Sequence, residues 1–434
     1  MERGIPALAF AAMLAMVCVS CATVPSAGKR VAVPSDYLGI AHAGYSNSDA
    51  EYDLLRMLGA RFSRIDFSWD IIEPRPGSFD FSRYDAIVET TGKNKIGLLA
   101  ILDYDVPWIH GDDRSRKYIP PSRMGDWLNY VEKVVERYRG KVSAYEIWNE
   151  PNWFFWKGNA EEFAELTRET AALIRKIDPL ATIVAGAFFR DPRGLAGIMM
   201  KKGAFSEVDA ISFHPYSPTV ELAADLSTRF MEDLRAMGYS GKFWITEAGF
   251  TTRGIYPNSV SDEEYPSSLV KTVTLLAISG SEKLVWYTLT DRYMADEKPR
   301  GLNIISVSEA YFGLAYPDYS PKNVAYAYSA IARVIQGSTY DPASVGNLSN
   351  AEGVRVFPFL MKDGSLGLIL WANSNTWVEF SVFMSGTIPW IDRAGEERFS
   401  GRTMLLSRKP TILISDIGSG SPAFPLFSIR KVSD

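Results

Sequence analysis

An α/β fold is what this sequence predicts: a (β/α)8 TIM barrel over residues 35–336, then a smaller C-terminal antiparallel β-sandwich over 337–434. Three observations carry the prediction. From Ser35 onward, short apolar runs alternate with amphipathic helical stretches, the pattern of parallel strands with helical crossovers. Eight such units fit into roughly 300 residues, the size of one barrel of this kind. After Gly337 the helical periodicity stops, and short strand candidates separated by turn signals such as Lys362-Asp363-Gly364 take over.

Leu38–His42 reads as the first strand. Its helix is Ser48–Leu58, with Ser48 or Asp49 as cap and Leu54, Leu55 and Leu58 at helical spacing. Strand two is Phe62–Phe67 with helix Phe81–Asn94, and strand three is Ile96–Leu102. The helix Asp126–Arg139 puts Leu128, Val131, Val134, Val135 and Tyr138 on one face and stops at Gly140. Strand four, Val142–Trp148, is followed by Ala160–Ile177, which ends before Asp178-Pro179. Strands five, six and seven are Thr182–Gly186, Ala210–Phe213 and Phe243–Thr246, with helices Pro192–Lys202, Glu221–Met237 and Glu264–Ser279. Lys283–Leu289 and Lys322–Ile335 close the barrel. Beyond it, Gly353–Leu360, Leu366–Ala372, Thr376–Phe383 and Thr411–Ile414 are the strand candidates of the sandwich.

The chain has 434 residues, 47% hydrophobic and 22% charged, which is a globular composition with ample material for a core. Its formal charge of -5 comes from interspersed residues, with no basic stretch to track a phosphate backbone, so nucleic acid is excluded as the expected partner. Arg3 precedes an apolar run, Ile5 to Val19, long enough for the core of an export signal and short for a membrane span. Residues 1–21 are therefore expected to be a signal peptide and 22–34 a tether. Cys18 and Cys21 are the only cysteines, so the mature body has no disulfide framework and no cysteine-based metal site. Val17 to Ala22 resembles a bacterial lipobox with Cys21 as the lipidated residue; cleavage after Ala22 or Ser26, or one retained membrane helix, are the alternatives.

Side chains at the carboxyl ends of barrel strands face one shared mouth. Glu150 follows strand four, and Glu247 ends strand seven 97 positions later. Two carboxylates about 5–5.5 Å apart would suit a retaining hydrolysis of a glycosidic bond, one protonated and the other ionised.

The residues around them carry a resemblance. Tyr145-Glu146-Ile147-Trp148-Asn149-Glu150-Pro151 resembles the strand-four signature of the clan A glycoside hydrolases, and Trp244-Ile245-Thr246-Glu247-Ala248-Gly249-Phe250 their strand-seven site. Arg64-Ile65-Asp66-Phe67-Ser68-Trp69, with Glu73-Pro74, is similar to strand two of family 39 and its bacterial exopolysaccharide-hydrolase relatives. His214-Pro215-Tyr216, Trp286-Tyr287 and Phe312-Gly313-Leu314 are similar to strand six, strand eight and the entry to the last helix. The resemblance implies Glu150 as acid/base, Glu247 as nucleophile, Asn149 on the sugar 2-hydroxyl, Tyr216 on the nucleophile and Trp286 as the aromatic floor under the sugar.

Arg64 is expected to hold Glu247 ionised, with an interior ion pair as the alternative. His214 and Tyr216, two residues apart, can face the same side of a strand end. Trp153, within the run Trp153-Phe154-Phe155-Trp156, is a candidate subsite residue, and Asp103, with Tyr104, Asp105 and Trp108, a candidate cleft residue. No second histidine or cysteine stands at ligand spacing, so no metal and no cofactor are expected. The expectation is a monomeric retaining glycoside hydrolase, endo-acting on an extracellular or cell-envelope polysaccharide, in contact with membrane only through a lipid anchor. It would be exported, as a periplasmic or outer-membrane-anchored lipoprotein or a secreted protein. An exo-acting β-xylosidase-like or iduronidase-like glycosidase, and a non-catalytic carbohydrate-binding envelope lipoprotein, are the rivals. Specificity is expected in the loops 105–123, 251–262 and 291–319.

Overall fold

The computed structural model describes residues 29–111, 117–297, 303–345, 353–388, 397–415 and 429–431. The signal peptide expected over 1–21, with Cys21, and the tether up to residue 28 lie outside these. Among the described residues, no helix is long and apolar enough to cross a membrane.

Eight parallel strands close into a barrel: β1 (Leu38–Ala41), β2 (Phe62–Ser68), β3 (Gly97–Asp103), β4 (Ala144–Ile147), β5 (Thr182–Phe189), β6 (Ala210–His214), β7 (Lys242–Ala248) and β8 (Lys283–Trp286). The crossover helices are α1 (Asp49–Leu58), α2 (Ser82–Lys93), α3 (Met124–Tyr138), α4 (Ala160–Ile177), α5 (Arg193–Lys201), α6 (Val220–Ala236), α7 (Tyr265–Ile278) and α8 (Asn323–Ile335). Helix ends follow local chemistry. Ser48 accepts a hydrogen bond from the Glu51 amide to start α1, and Gly59, at φ 70°, turns the chain out of it. Asn159 and Glu162 form a reciprocal capping box on α4. In α3 the buried stripe is Trp127, Tyr130, Val131, Val134, Val135 and Tyr138, so Trp127 takes the core position that the sequence suggested for Leu128. Two short helices, Trp69–Ile72 and Ile304–Glu309, add to the expected set.

Alternate strand residues stack inside the barrel in layers. Leu99, Ala144, Val184, Ala210 and Trp244 make an apolar lower layer. Two residues further along their strands come Glu146 and Ser212, joined there by Arg64 from β2, and above them Asp66, Asp103 and His214. The interior thus changes from hydrocarbon to charge as it approaches the mouth.

The C-terminal domain is antiparallel, as expected. Its strands β9 (Val354–Leu360), β10 (Leu366–Ala372), β11 (Thr376–Ile388), β12 (Glu397–Leu406), β13 (Thr411–Ser415) and β14 (Ile429–Lys431) join one connected sheet, with register shifting between Glu379 and Met384 of β11. The sheet curls, so that Leu366, Leu368, Leu370 and Ala372 of β10 pack on Val378, Met404 and Leu406. The intervening residues Ile369 and Trp371 face the other way and join the barrel core with Phe357, Phe359 and Ile412. Period-two alternation therefore buries both faces of β10. The end of the expected tether belongs to this domain. Val31–Ala32 pairs antiparallel with Thr339–Tyr340, which pairs in turn with β9.

α7, apolar on nearly every face, is buried almost all round between α6, α8 and the barrel, with Lys271 lying over the Trp371 ring of the sheet. The sheet comes close to α8 at Gly367, where a Cβ would lie 2.5 Å from Val334 Cγ1. Gly367→Val is expected to cost about 1–3 kcal/mol by overpacking this contact. Thermal unfolding checks it: a melting temperature equal to that of the parent chain would contradict the tight contact.

Candidate active site

Arg64, on β2 and 1% exposed, lies at the centre of the barrel's upper interior. Its guanidinium makes three charge-assisted or polar bonds: Nε to Glu146 Oε2 at 2.6 Å, Nη1 to Glu247 Oε1 at 2.5 Å, and Nη2 to Asn149 Oδ1 at 2.8 Å. Burial acts to lower its pKa, but the charges of Glu146 and Glu247 more than offset this, so the cation is fixed. Glu146 is itself held from β6, where Ser212 donates to Oε1 at 2.6 Å. Asn149 donates onward to the Tyr104 hydroxyl at 3.0 Å.

Glu247 has both oxygens occupied, because Tyr216 donates to Oε2 at 2.9 Å. Burial pushes its pKa up to about 7, against the Arg64 charge and the Tyr216 and Arg64 hydrogen bonds, which pull it down. Glu150 has no such donors. Burial and the neighbouring Glu247 charge raise it well above the usual carboxylate range. Its one side-chain partner is His214, with Nδ1 2.9 Å from Oε1, while His214 Nε2 sits 3.1 Å from Thr246 Oγ1. Burial and the Arg64 charge hold His214 well below its ordinary pKa, so the ring is neutral. The tautomer with Nδ1–H donating to Glu150 and the Thr246 hydroxyl donating to Nε2 leaves Glu150 Oε2 free to carry a proton toward a ligand.

One oxygen each of Glu150 and Glu247 and one His214 nitrogen all lie within 4.8 Å of one another. Carboxyl groups this close match the short separation that favours direct attack by one on the atom that the other's proton activates. The same trio is the single group of such donors among the described residues that could hold a metal ion. Arg64 and Tyr216 already fill both oxygens of Glu247, which disfavours that use.

The backbone that delivers Glu150 is strained. Trp148 and Glu150 have φ of 66° and 46°, in the left-handed region. Trp148 N bonded to Leu102 O and Glu150 N bonded to Ala187 O hold them there.

Of the residues expected from sequence, Glu150, Glu247, Asn149, Arg64, His214 and Tyr216 meet in this one network. Trp153 lies beside it, half-buried, with its ring 4.9 Å from Phe189. Two expectations fail. Trp286 is fully buried and donates to the Tyr265 hydroxyl, so it is core and cannot serve as a sugar platform. Tyr287, the next residue, reaches the mouth instead and donates to Glu309 at 3.3 Å. Asp103 is also fully buried, out of reach of a sugar. No donor reaches either of its oxygens. Burial, then the Asp66 charge, raises it far above the carboxylate range, and a neutral carboxyl hydrogen-bonded to Asp66 satisfies both acids. Asp66 is the partly exposed member, near His42 Nε2 at 3.5 Å and the Tyr45 hydroxyl at 3.2 Å. Asp66, Glu146 and Ser212 were not singled out from sequence. The signal was there, since a charge inside an otherwise apolar buried strand needs a partner.

A cavity of about 350 Å³ opens between the ends of β1 and β8, lined by His42, Tyr45, Tyr287, Arg292, Glu309 and Tyr319 among others. It contains neither Glu150 nor Glu247.

Comparison with known proteins gives the following. Residues 31–288 match the family model Cellulase (glycosyl hydrolase family 5). A beta-xylosidase of Caldicellulosiruptor saccharolyticus is 33% identical over 135 residues, 28% of this chain and 26% of that protein, so the chain spans about a quarter of that curated relative's length. Among solved structures, a family 39 glycoside hydrolase from Bacteroides cellulosilyticus superposes with a TM-score of 0.68 at 19% identity, covering 88% of this chain and 81% of the other. A monomeric beta-xylosidase from Caulobacter crescentus gives 0.63 at 15% identity, covering 88% and 96%. A family 30 subfamily 8 xylanase from Clostridium acetobutylicum gives 0.60 at 13% identity, covering 90% and 97%. These likenesses place the fold among the family 39 and family 30 barrels.

The pKa order predicts a bell-shaped profile in which kcat/KM rises as Glu247 ionises near pH 7 and falls at higher pH as Glu150 loses its proton. Glu150→Gln should remove the alkaline limb, measured with an activated substrate that needs no acid. Arg64→Met should shift the acid limb to higher pH and cost about 3–5 kcal/mol of stability, since it leaves two buried carboxylates without their cation. An unshifted acid limb in that variant would contradict the role of Arg64.

Proposed function

The chain belongs to the glycoside hydrolases of clan A, matched by the Cellulase (glycosyl hydrolase family 5) model, and from that premise we propose a retaining hydrolase of O-glycosidic bonds in a polysaccharide. The observation that supports it most is the close approach of Glu150 and Glu247 in unlike environments. Glu247, aligned by Arg64 and Tyr216, attacks the anomeric carbon. Glu150 gives its proton to the leaving oxygen, and that glycosidic C–O bond breaks. A water then enters on the leaving-group side, gives a proton back to Glu150 and breaks the glycosyl–Glu247 ester, restoring both carboxyls. Asn149, held between Arg64 and Tyr104, is positioned for the sugar 2-hydroxyl.

The substrate reading is a polysaccharide outside the cell or in its envelope, attacked internally by a monomer. The partly exposed aromatic rings of Trp153, Phe154 and Phe155 on the Glu150 side favour several leaving-group subsites, hence endo action. The cavity between β1 and β8 favours a second reading, exo action on a terminal sugar, because a pocket on the Glu247 side can bound the chain end. A signal peptide over 1–21 and lipidation of Cys21 would place the enzyme on an envelope membrane, periplasmic or outer.

Glu247→Gly should lose turnover by about a thousandfold or more, with azide restoring part of it on an activated substrate as a glycosyl azide of inverted configuration. Full turnover without azide would remove the mechanism. Product sizing and anomer assignment by NMR on a polysaccharide panel decide between mixed internal fragments and single released sugars. Cys21→Ser should move the protein from the membrane fraction to the soluble one, and an unchanged distribution would count against the anchor.

A further inference from the structure

The two ends of the mouth differ in their charged groups. On the Glu247 side, Glu309 and Arg292 both line the cavity, and Glu309 is bonded to the Tyr287 hydroxyl. On the Glu150 side the cations are Lys117, Lys157 and Arg190. None of these three has a carboxylate within ion-pair distance among the described residues. Lys117 Nζ lies 3.8 Å above the Phe155 ring and 4.9 Å from that of Phe154. The nearby Asp105 acts on it through space and not by direct contact, as its oxygens are taken by His110 Nε2 at 2.5 Å and by the Lys117 backbone amide at 2.6 Å. Arg190 lies 5.9 Å from the Phe189 ring, half-buried, and burial alone lowers its pKa.

These cations stand at the two ends of one aromatic strip. Ring contacts run from Phe155 to Phe154 at 4.6 Å, to Trp153 at 5.5 Å and to Phe189 at 4.9 Å. Phe154 is 54% exposed, so the strip is open to solvent. It is also rigidly built. Asn152 clamps it to β5 by donating to Phe189 O and accepting from Phe189 N, both at 2.8 Å. Aromatic faces suit the C–H faces of sugar rings, and cations beside them that make no ion pair among the described residues suit anions on those sugars.

We propose that the leaving-group subsites recognise an anionic sugar, a residue bearing a carboxylate such as a uronic acid, through Lys117 and Arg190 flanking the Trp153–Phe155 strip. This rests on Glu150 being the residue that protonates the leaving oxygen, which is what makes this end the leaving-group end. A chemical consequence follows. The Lys117 charge opposes the proton on Glu150, and a carboxylate bound against Lys117 cancels that effect where the acid is needed.

The test compares acidic oligosaccharides (oligoglucuronate, oligogalacturonate and oligomannuronate) with their carboxyl-reduced forms, binding each to the Glu247→Gln protein at low and high salt. At least one acidic probe should bind about tenfold or more tighter than its reduced form, with the difference shrinking in salt. Lys117→Gln/Arg190→Gln in the same background should abolish that preference and leave binding of the reduced form unchanged. Equal binding of every acidic and reduced pair, or a preference that survives the double substitution, overturns the proposal. Turnover of a nitrophenyl glycoside panel by the parent protein separates this from the catalytic reading. Turnover by a parent protein that binds every acidic and reduced pair equally rejects only the anionic subsite, whereas turnover that survives Glu247→Gly rejects the mechanism itself.

Discussion

One buried guanidinium organises the mouth of this barrel. Arg64 is 1% exposed, and a cation so placed is tolerable only with its donors satisfied by charge and hydrogen bonds. Glu146, Glu247 and Asn149 supply that from β4, from β7 and from the turn after β4. The geometry of the chemistry follows from the needs of the ion pair. Glu247 cannot rotate away without leaving Arg64 short of an acceptor, and Asn149 cannot turn without losing both Arg64 and Tyr104. Glu146 contributes no chemistry of its own; it balances charge from below, and Ser212 fixes it.

The same network makes two identical side chains behave differently. Glu247 receives a cation and a phenol, both of which favour its ionised form. Glu150 receives one neutral imidazole in a site just as dry, so burial dominates and the proton stays. His214 can play this part only because Arg64 and burial keep it uncharged. A protonated histidine there would stabilise the Glu150 carboxylate and remove the acid. Arg64 thus acts on Glu247 through a bond, on Glu150 through its charge, which opposes the proton there, and on the histidine by keeping it neutral.

Much of this was legible in the sequence, because strands and helices announce themselves by period and because strand ends in a parallel barrel share one mouth. All eight units and both glutamates follow from that logic. What the one-dimensional pattern could not carry was depth. Trp286 and Tyr287 are adjacent aromatics at a strand end, and only the packing of Tyr265 and Phe250 decides that the first goes inward and the second outward. Asp103 and Asp66 present the same difficulty. Both are acids near the mouth, one sealed and neutral, the other half-exposed and ionised, and the difference lies in neighbours from separate strands. The C-terminal sheet was readable as antiparallel strands, but its recruitment of Val31–Ala32 from the other end of the chain was not, since two residues carry no period.

That recruitment bears on which side of the barrel can vary. The sheet packs on α7 and α8, Gly337 N bonds Pro34 O just before β1, and Lys409 reaches Glu263 ahead of α7 at 2.7 Å. The sector from β7 through β8 to β1 is therefore braced from outside, and it is this sector that presents Glu247 and the cavity. Among the described residues, the sector from β3 to β5 has no such brace. Its loops hold themselves, through the Asp105–His110 pair, the Asn152 clamp and the stacking of Tyr104 on Phe155. A barrel supported on one side keeps its nucleophile and glycone contacts constant, while the self-supported loops on the other side can change length and charge at little cost to the core. The aromatic strip and its flanking cations stand on those loops, where a fold of this kind can adapt to a new leaving group without disturbing Arg64.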